Sequence, residues 1–324
     1  MAASLVKLSD IKAAQRRIRG IALHTPLVAW PGSTEKDQLF LKPESLQPIG
    51  SFKLRGAYNF ISQLSPAEKK RGVIAHSSGN HAQGVAYAAR ATGVKATIVL
   101  PNTAPKIKVD ATQALGAEIV FAGPNSEDRI QLSQQLAAER KLVMVPPYDH
   151  LRIIAGTGTI GMEILDDLDD VKLVLAPVSG GGLISGIVSA IKLRDPRVKV
   201  FGVEPELAGD AQASLRAGER VKFDPAQVNR TIADGLRTTP VGAISWEHIH
   251  KYLDDVITVT EEEIKRAVKA LLLQGRLLAE PSGAVAPAAW LFHRHQLPAA
   301  KKTVAVISGG NIAPEMLNEI LATG

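Results

Sequence analysis

Val171-Lys-Leu-Val-Leu-Ala-Pro-Val178, followed by Ser179-Gly180-Gly181-Gly182-Leu183, is the stretch that decides the fold. A short apolar run rich in branched residues and closed by glycines reads as a buried strand. The segment after the glycines reads as a helix to Arg194, and 198–203 as the next strand. Strand, glycine turn, helix and strand make one crossover unit of a parallel sheet. The same rhythm extends upstream. Strands are expected at 73–75, 95–100, 118–121 and 142–145, alternating with helices at 82–92, 106–115 and 126–140. Downstream of residue 150 come a helix at 158–168, a strand at 255–259, helices at 261–274 and 282–295, and a last strand at 303–307. Near the start, a capped helix runs from Ser9 towards Gly20, a strand covers 39–42 and a helix covers 51–64. Residues 205–245 are less regular and read as an excursion over the surface. The expected class is α/β with two open parallel sheets. Breaks near 65–72 and 146–151 imply a small domain, 66–150, inserted into a larger one made of 1–65 and 151–324.

Composition narrows the chemistry. The 324 residues are 45% hydrophobic, 22% charged and only 4% aromatic, which suits a globular protein and argues against a stacking surface for single-stranded nucleic acid. The formal charge of +6 is scattered in pairs such as Arg16-Arg17 and Lys301-Lys302, so no nucleic-acid footprint is expected. A modest positive field would still attract an anionic substrate or cofactor. The absence of cysteine removes thiolate nucleophiles, disulfides, iron–sulfur clusters and Cys-type zinc sites. Met1 to Lys7 lacks the layout of a signal peptide, and no uncharged apolar run is long enough to span a bilayer. A cytoplasmic location with no membrane partner is the expectation.

Ligands of open α/β sheets bind beyond the carboxyl ends of strands. Three polar loops sit there. His76-Ser77-Ser78-Gly79-Asn80-His81 offers hydroxyls, an amide and helix-start N–H groups suited to a carboxylate. Ser179 to Leu183 can curl so that several N–H groups face one phosphate, aided by the helix dipole. Ser308-Gly309-Gly310-Asn311 follows the last strand. Each loop also reads as a tight turn or a plain helix cap. The spacing of Gly180, Gly182 and Gly186 misses the dinucleotide fingerprint by one place, and no Walker pattern is present. Lys53 stands apart from other lysines. Phe52 and Leu54 flank it, which suggests a partly desolvated amine able to act as a nucleophile or form a Schiff base. A reactive lysine, a phosphate cradle and a carboxylate loop are together what pyridoxal phosphate chemistry on an amino acid needs.

These residues resemble a known family. Gly50-Ser-Phe-Lys53-x-Arg-Gly-Ala, Ser77-Ser-Gly-Asn-His81, Ser179-Gly-Gly-Gly182, Glu280-Pro-Ser-Gly283 and Ser308-Gly-Gly-Asn311 look like the serine/threonine dehydratase and serine racemase group. The match runs in order along nearly the whole chain. It implies fold type II of the pyridoxal-phosphate enzymes, with two three-layer open parallel-sheet domains like the tryptophan synthase β chain. It also implies roles. Lys53 would hold the cofactor aldehyde and carry protons on one face, with Phe52 beside the ring and Asn80 on the ring hydroxyl. Ser179, Gly180, Gly181, Gly182 and Leu183 would hold the phosphate, and Ser308 would face the pyridine nitrogen. Ser78 would lie across the cofactor from Lys53, and Ser77, Ser78, Gly79, Asn80 and His81 would take the substrate carboxylate. Glu204, the Ala208 carbonyl and Asp210 look like a site for magnesium or calcium, hard cations that prefer oxygen ligands. The plainer reading of that pair is two solvated acids at a strand exit.

The implied reaction is dehydration and deamination of L-threonine or L-serine to 2-oxobutanoate or pyruvate and ammonia. Racemisation of serine and dehydration of 3-hydroxyaspartate are the alternatives, with Arg129 as a contact for a second carboxylate. A ligand-binding protein that has lost its chemistry is a third reading, opposed by the intact Lys53, Ser78 and Ser308. Two departures bear on substrate preference: Tyr148, where racemases carry asparagine, and Thr157, where both groups carry glutamine. No C-terminal regulatory domain is expected, and the resemblance suggests a homodimer or larger assembly. His248, His250, His293 and His295 read as surface residues.

Overall fold

The computed structural model describes residues 5–77, 79–104 and 106–322. The ten strands are β1 (Val28–Ala29), β2 (Gln38–Pro43), β3 (Val73–His76), β4 (Ala96–Pro101), β5 (Glu118–Ala122), β6 (Val143–Met144), β7 (Leu173–Pro177), β8 (Lys199–Pro205), β9 (Asp255–Val259) and β10 (Lys302–Ile307). The first helices are α1 (Leu8–Ile18), α2 (Lys53–Ile61), α3 (Pro66–Arg71), α4 (Asn80–Ala91), α5 (Lys106–Ala114), α6 (Ser126–Arg140) and α7 (Leu151–Asp167). They are followed by α8 (Gly182–Arg194), α9 (Asp210–Ala217), α10 (Pro225–Val228), α11 (Ala243–Tyr252), α12 (Glu261–Leu273), α13 (Pro281–Phe292) and α14 (Pro314–Ala322).

The strands form two sheets. One has six strands in the order β1-β2-β10-β7-β8-β9, the other four in the order β5-β4-β3-β6. The small sheet is parallel throughout. The large sheet is parallel except for the edge pair β1–β2. Its central strand β7 is buried at every position, as the apolar run predicts, because helices cover both faces. One core joins Leu173, Leu175 and Ile307 to α12 and α13, and another joins Val174, Val178 and Val306 to α8 and α11. The small sheet has its own core, which includes Val73, Ala75 and Ile98. Ala57, Phe60 and Ile61 of α2 also belong to it, so the helix that starts at Lys53 packs its later turns under the small sheet.

Two helices differ from expectation. α7 begins at Leu151, two turns before the predicted start at 158. Gly156 and Gly158 argue against helix by propensity, yet both sit at close helix contacts. A Cβ on Gly156 would lie 2.6 Å from the Arg55 carbonyl oxygen, and one on Gly158 3.0 Å from that of Gly186. Packing here overrides propensity. Within 205–245 the chain forms α9, α10 and the start of α11, so the excursion is more ordered than its sequence implies. His248 on α11 is fully buried, which corrects its reading as a surface residue. Its Nε2 accepts from the Val6 N–H at 3.0 Å and its Nδ1 donates to the Ile244 carbonyl at 2.8 Å. His293 is likewise half-buried, paired to Glu263 at 3.0 Å. Among the described residues, no helix is long and apolar enough to cross a membrane.

Candidate active site

β7 and β10 are neighbours in the large sheet, so the Ser179 and Ser308 loops leave its carboxyl edge side by side. Lys53 is the first residue of α2. Its segment is stitched to the Ser308 loop: Ser51 bridges Gly309, the Phe52 N–H donates to the Ser308 carbonyl at 3.1 Å, and the Gly310 N–H donates to the Gly50 carbonyl at 2.9 Å. The Lys53 Nζ donates to the Pro147 carbonyl at 2.8 Å. Burial pushes this amine down to about 8, while the charge of Glu280 opposes the shift. The partly desolvated amine expected from Phe52 and Leu54 is therefore present. Phe52 itself packs against the core under α8.

The triglycine turn follows β7 and opens α8. Gly181 has φ +93°, a left-handed conformation that glycine adopts freely. Substituents are excluded on every side. A Cβ on Gly180 would strike the Tyr148 ring at 2.7 Å, one on Gly181 would meet Ser245 at 2.7 Å, and one on Gly182 would meet Tyr148 at 2.8 Å. The N–H groups of Gly180 to Leu183 donate to no described residue, although all four residues are buried. Orphan donors at a helix start, with the helix dipole behind them, form an anion cradle. The turn is braced from outside by the Gly242 N–H on the Gly180 carbonyl at 3.1 Å and the Thr238 N–H on Ser179 Oγ at 3.2 Å. Thr157, the unusual residue of α7, donates from its hydroxyl to the Gly182 carbonyl at 2.8 Å. Tyr148 and Pro147 tie the turn to Lys53, because the residue beside the lysine's hydrogen-bond acceptor is the one that lies on the glycines.

The third loop opens α4. Gly79 donates to Ser77 Oγ at 3.2 Å. Ser78 lies outside the described residues. Asn80 is held on both sides of its amide, donating to Glu280 Oε1 at 2.6 Å and accepting from Asn311 Nδ2 at 2.7 Å. Ser308 is buried and donates to the Ser282 carbonyl at 3.3 Å. His81 is buried with Nε2 on the Val145 carbonyl at 3.0 Å, and burial together with the Lys53 charge pushes its ring down to about 3. Its ring is therefore neutral and engaged with Val145. Arg129 lies half-buried on α6; burial lowers His76 at the end of β3, and the Arg129 charge lowers it further.

Glu204 ends β8 and Asp210 starts α9, both essentially inaccessible to solvent, with the Ala208 residue buried between them. Glu204 accepts from the Ala211 and Gln212 N–H groups at 3.1 and 2.9 Å. Neither Asp210 oxygen has a well-formed hydrogen bond, although the Val241 N–H and Thr239 hydroxyl lie near enough to draw its affinity for a proton down. Burial pushes Asp210 up to about 7, and burial with the Asp210 charge pushes Glu204 up strongly. The two acids are therefore not solvated. Among the described residues, no ion pair neutralises them and no group of three or more His, Cys, Asp or Glu is placed to hold a metal. A cation here would rest on two carboxylates, a carbonyl and water.

Glu280 and Asn311 appear in the sequence only as motif members. The structure gives Glu280 a carboxylate beside Lys53 and Asn80, and Asn311 a bridge from Asn80 to the Ile49 carbonyl at 2.8 Å. Partners 200 residues apart leave no local signal; only the shared loop position at strand ends hints at them.

The chain matches the family described as pyridoxal-phosphate dependent enzyme over residues 18–309. It is 44% identical to an L-threonine ammonia-lyase of Thermotoga maritima, covering 99% of this chain and 79% of that protein. It is 39% identical to the catabolic L-threonine dehydratase of Escherichia coli K12, covering 97% and 96% of the two chains. A solved serine racemase from Dictyostelium discoideum superimposes with a TM-score of 0.89 at 38% identity, covering 96% of this chain and all of that one. With a family match across most of its length and relatives of this similarity, the chain belongs to the pyridoxal-phosphate dependent enzymes, of fold type II.

Proposed function

We propose that this protein is an ammonia-lyase that converts L-threonine and L-serine to 2-oxobutanoate and pyruvate, releasing ammonia. The observation that carries the reading is the half-buried Lys53 amine, lowered to about 8, at the meeting point of three ligand loops in a chain 44% identical to an L-threonine ammonia-lyase.

The residues present fit pyridoxal phosphate. The orphan N–H groups of Gly180 to Leu183 would take its phosphate, with Ser179 beside them. Lys53 would hold its aldehyde, Phe52 would lie beside the ring, and Asn80 would meet the ring hydroxyl. Ser308, a neutral hydroxyl, would face the ring nitrogen. When bound, the group supplies an electron sink that makes the α-proton of an amino acid removable. Lys53 Nζ would take that α-proton. An amine lowered to about 8 keeps a useful neutral fraction at pH 7, as general bases require. Backbone N–H groups and hydroxyls from Ser77 to His81 hold the substrate carboxylate at the start of α4. His81 stays neutral and fixes the loop through Val145.

Racemisation is the second reading, favoured by the likeness to a solved serine racemase. It requires a proton from Ser78 on the face opposite Lys53. We also propose magnesium or calcium on Glu204, the Ala208 carbonyl and Asp210. Two buried carboxylates without a counter-charge support it, because uncompensated burial of that kind is costly. Residues 1–65 and 151–324 are taken as the cofactor-binding body and 66–150 as the part that closes over substrate. A cytoplasmic homodimer or larger assembly completes the reading.

The test is a screen of L-threonine, L-serine, D-serine and 3-hydroxyaspartate, with and without chelator, reading keto acid, ammonia and chirality. Keto acid and ammonia from L-threonine are expected. D-serine formed faster than pyruvate would instead make the enzyme a racemase, and a preference for 3-hydroxyaspartate that falls with Arg129→Ala would assign Arg129 to a second carboxylate.

A further inference from the structure

We propose that Arg55 is a positioning residue for Lys53, fixing the first turn of α2 to the same elements that carry the cofactor loops. The proposal rests on Lys53 being the reacting amine.

Arg55 lies two residues after Lys53 and is fully buried. Its guanidinium forms forks with two carboxylates. Nε and Nη2 donate to Glu44 at 2.7 and 2.8 Å, and Nη1 and Nη2 donate to Glu163 at 2.5 and 2.8 Å. Thr159 Oγ1 and the Leu23 carbonyl take further bonds at 3.1 and 3.0 Å. Lys42 completes the knot, with Nζ 2.7 Å from Glu163 and 2.6 Å from the Thr25 carbonyl. Two cations thus balance two anions out of reach of water.

A buried knot of this kind is a weak source of stability, since apolar residues of similar volume often do as well or better. What it supplies is direction: the planar fork fixes orientation as well as distance. Its anchors are informative. Glu44 follows β2, which pairs along its whole length with β10, the strand that ends at Ser308. Glu163 and Thr159 lie on α7, which packs on α8 through Gly158, Gly161 and Gly186, and α8 begins at the triglycine turn. Arg55 therefore references the Lys53 turn to the Ser308 loop and to the phosphate cradle together. The need is real, because the later turns of α2 pack under the other sheet and α4 presses on its start, with Gly84 3.2 Å from Lys53 by an added Cβ. Without the knot, the lysine would follow the small sheet rather than the cradle.

The experiment compares Arg55→Lys and Glu163→Gln with a core variant of matched thermal stability remote from the knot, Leu271→Ala. Each is reconstituted with pyridoxal phosphate and assayed per bound cofactor. Arg55→Lys keeps the charge and loses the fork. It should bind cofactor with a shifted visible absorbance band and lose about 10²-fold in kcat, the scale of a misplaced reacting group, with KM changed by less than about threefold. Glu163→Gln should show a smaller effect of the same kind, and Leu271→Ala should keep the wild-type band and kcat. If Arg55→Lys does not fold, the same comparison is made with Glu163→Gln and Thr159→Val. Knot variants that match Leu271→Ala in band and kcat would overturn the proposal and leave Arg55 structural. Lys53→Ala serves as the parallel control: retained turnover there would overturn the parent reading instead.

Discussion

At the scale of single residues, Lys53 is set by two opposed influences. Burial lowers its amine and the Glu280 carboxylate raises it, and burial wins, leaving it at about 8. Only the neutral amine attacks an aldehyde. Capture of pyridoxal phosphate by the cofactor-free protein should therefore speed up with pH through the range below about 8 and level off above it. Stopped-flow absorbance across pH measures this; a rate still climbing to the ordinary lysine range would show a solvated amine. His81 makes the converse prediction. With its ring down at about 3, its neutral form persists throughout the working range, so His81→Asn should leave any inflection of kcat/KM near pH 6–7 in place. Lys53 and the three loops were legible because each signal is local: apolar neighbours around a lysine, glycines after a strand, a hydroxyl at a helix start. The roles of Glu280 and Asn311, and the burial of His248, were not. They arise from partners brought together from 200, 231 and 242 positions away.

At the scale of elements, glycines set how closely α2, α7 and α8 approach. A Cβ on Gly186 would lie 2.2 Å from Thr157 Oγ1 and 2.5 Å from the Gly158 nitrogen and the Ile154 carbonyl oxygen. Gly186→Ala should cost about 1–3 kcal/mol, the usual range for overpacking. It should also weaken cofactor binding, since α8 carries the triglycine turn at its start; denaturant melts and cofactor titration read the two effects. An unchanged midpoint would mean the helices separate freely. The sequence understates the length of α7 for the same reason, because Gly156 and Gly158 lower helix propensity while serving a close crossing. The end of β8 and the start of α9 yield a third expectation. Magnesium or calcium should raise the melting temperature and a chelator should lower it, whereas Asp210→Asn should be insensitive to both. A wild-type midpoint that ignores the ions would empty that site of its proposed role.

At the scale of the whole molecule, two sheets with separate cores meet along α2, with Lys53 at the junction. The α/β class and most strands were readable from apolar runs between glycine-rich turns. The order β1-β2-β10-β7-β8-β9 was not, because the last strand inserts beside β2 across most of the chain length and no short window encodes that pairing. This insertion brings the Ser308 loop next to the triglycine turn and so creates one site from three distant motifs. The division into a cofactor body and a closing part also belongs to this scale. Substrate should slow hydrogen exchange in 66–150 more than in β7 to β10, and equal protection of both would argue against closure. The most direct test of the central claim is ammonia and 2-oxobutanoate release from L-threonine by the protein reconstituted with pyridoxal phosphate, set beside Lys53→Ala prepared identically. Equimolar release of both products by the wild-type protein, and loss of both the visible cofactor band and turnover in the variant, is the predicted result. Near-wild-type turnover by Lys53→Ala would contradict it.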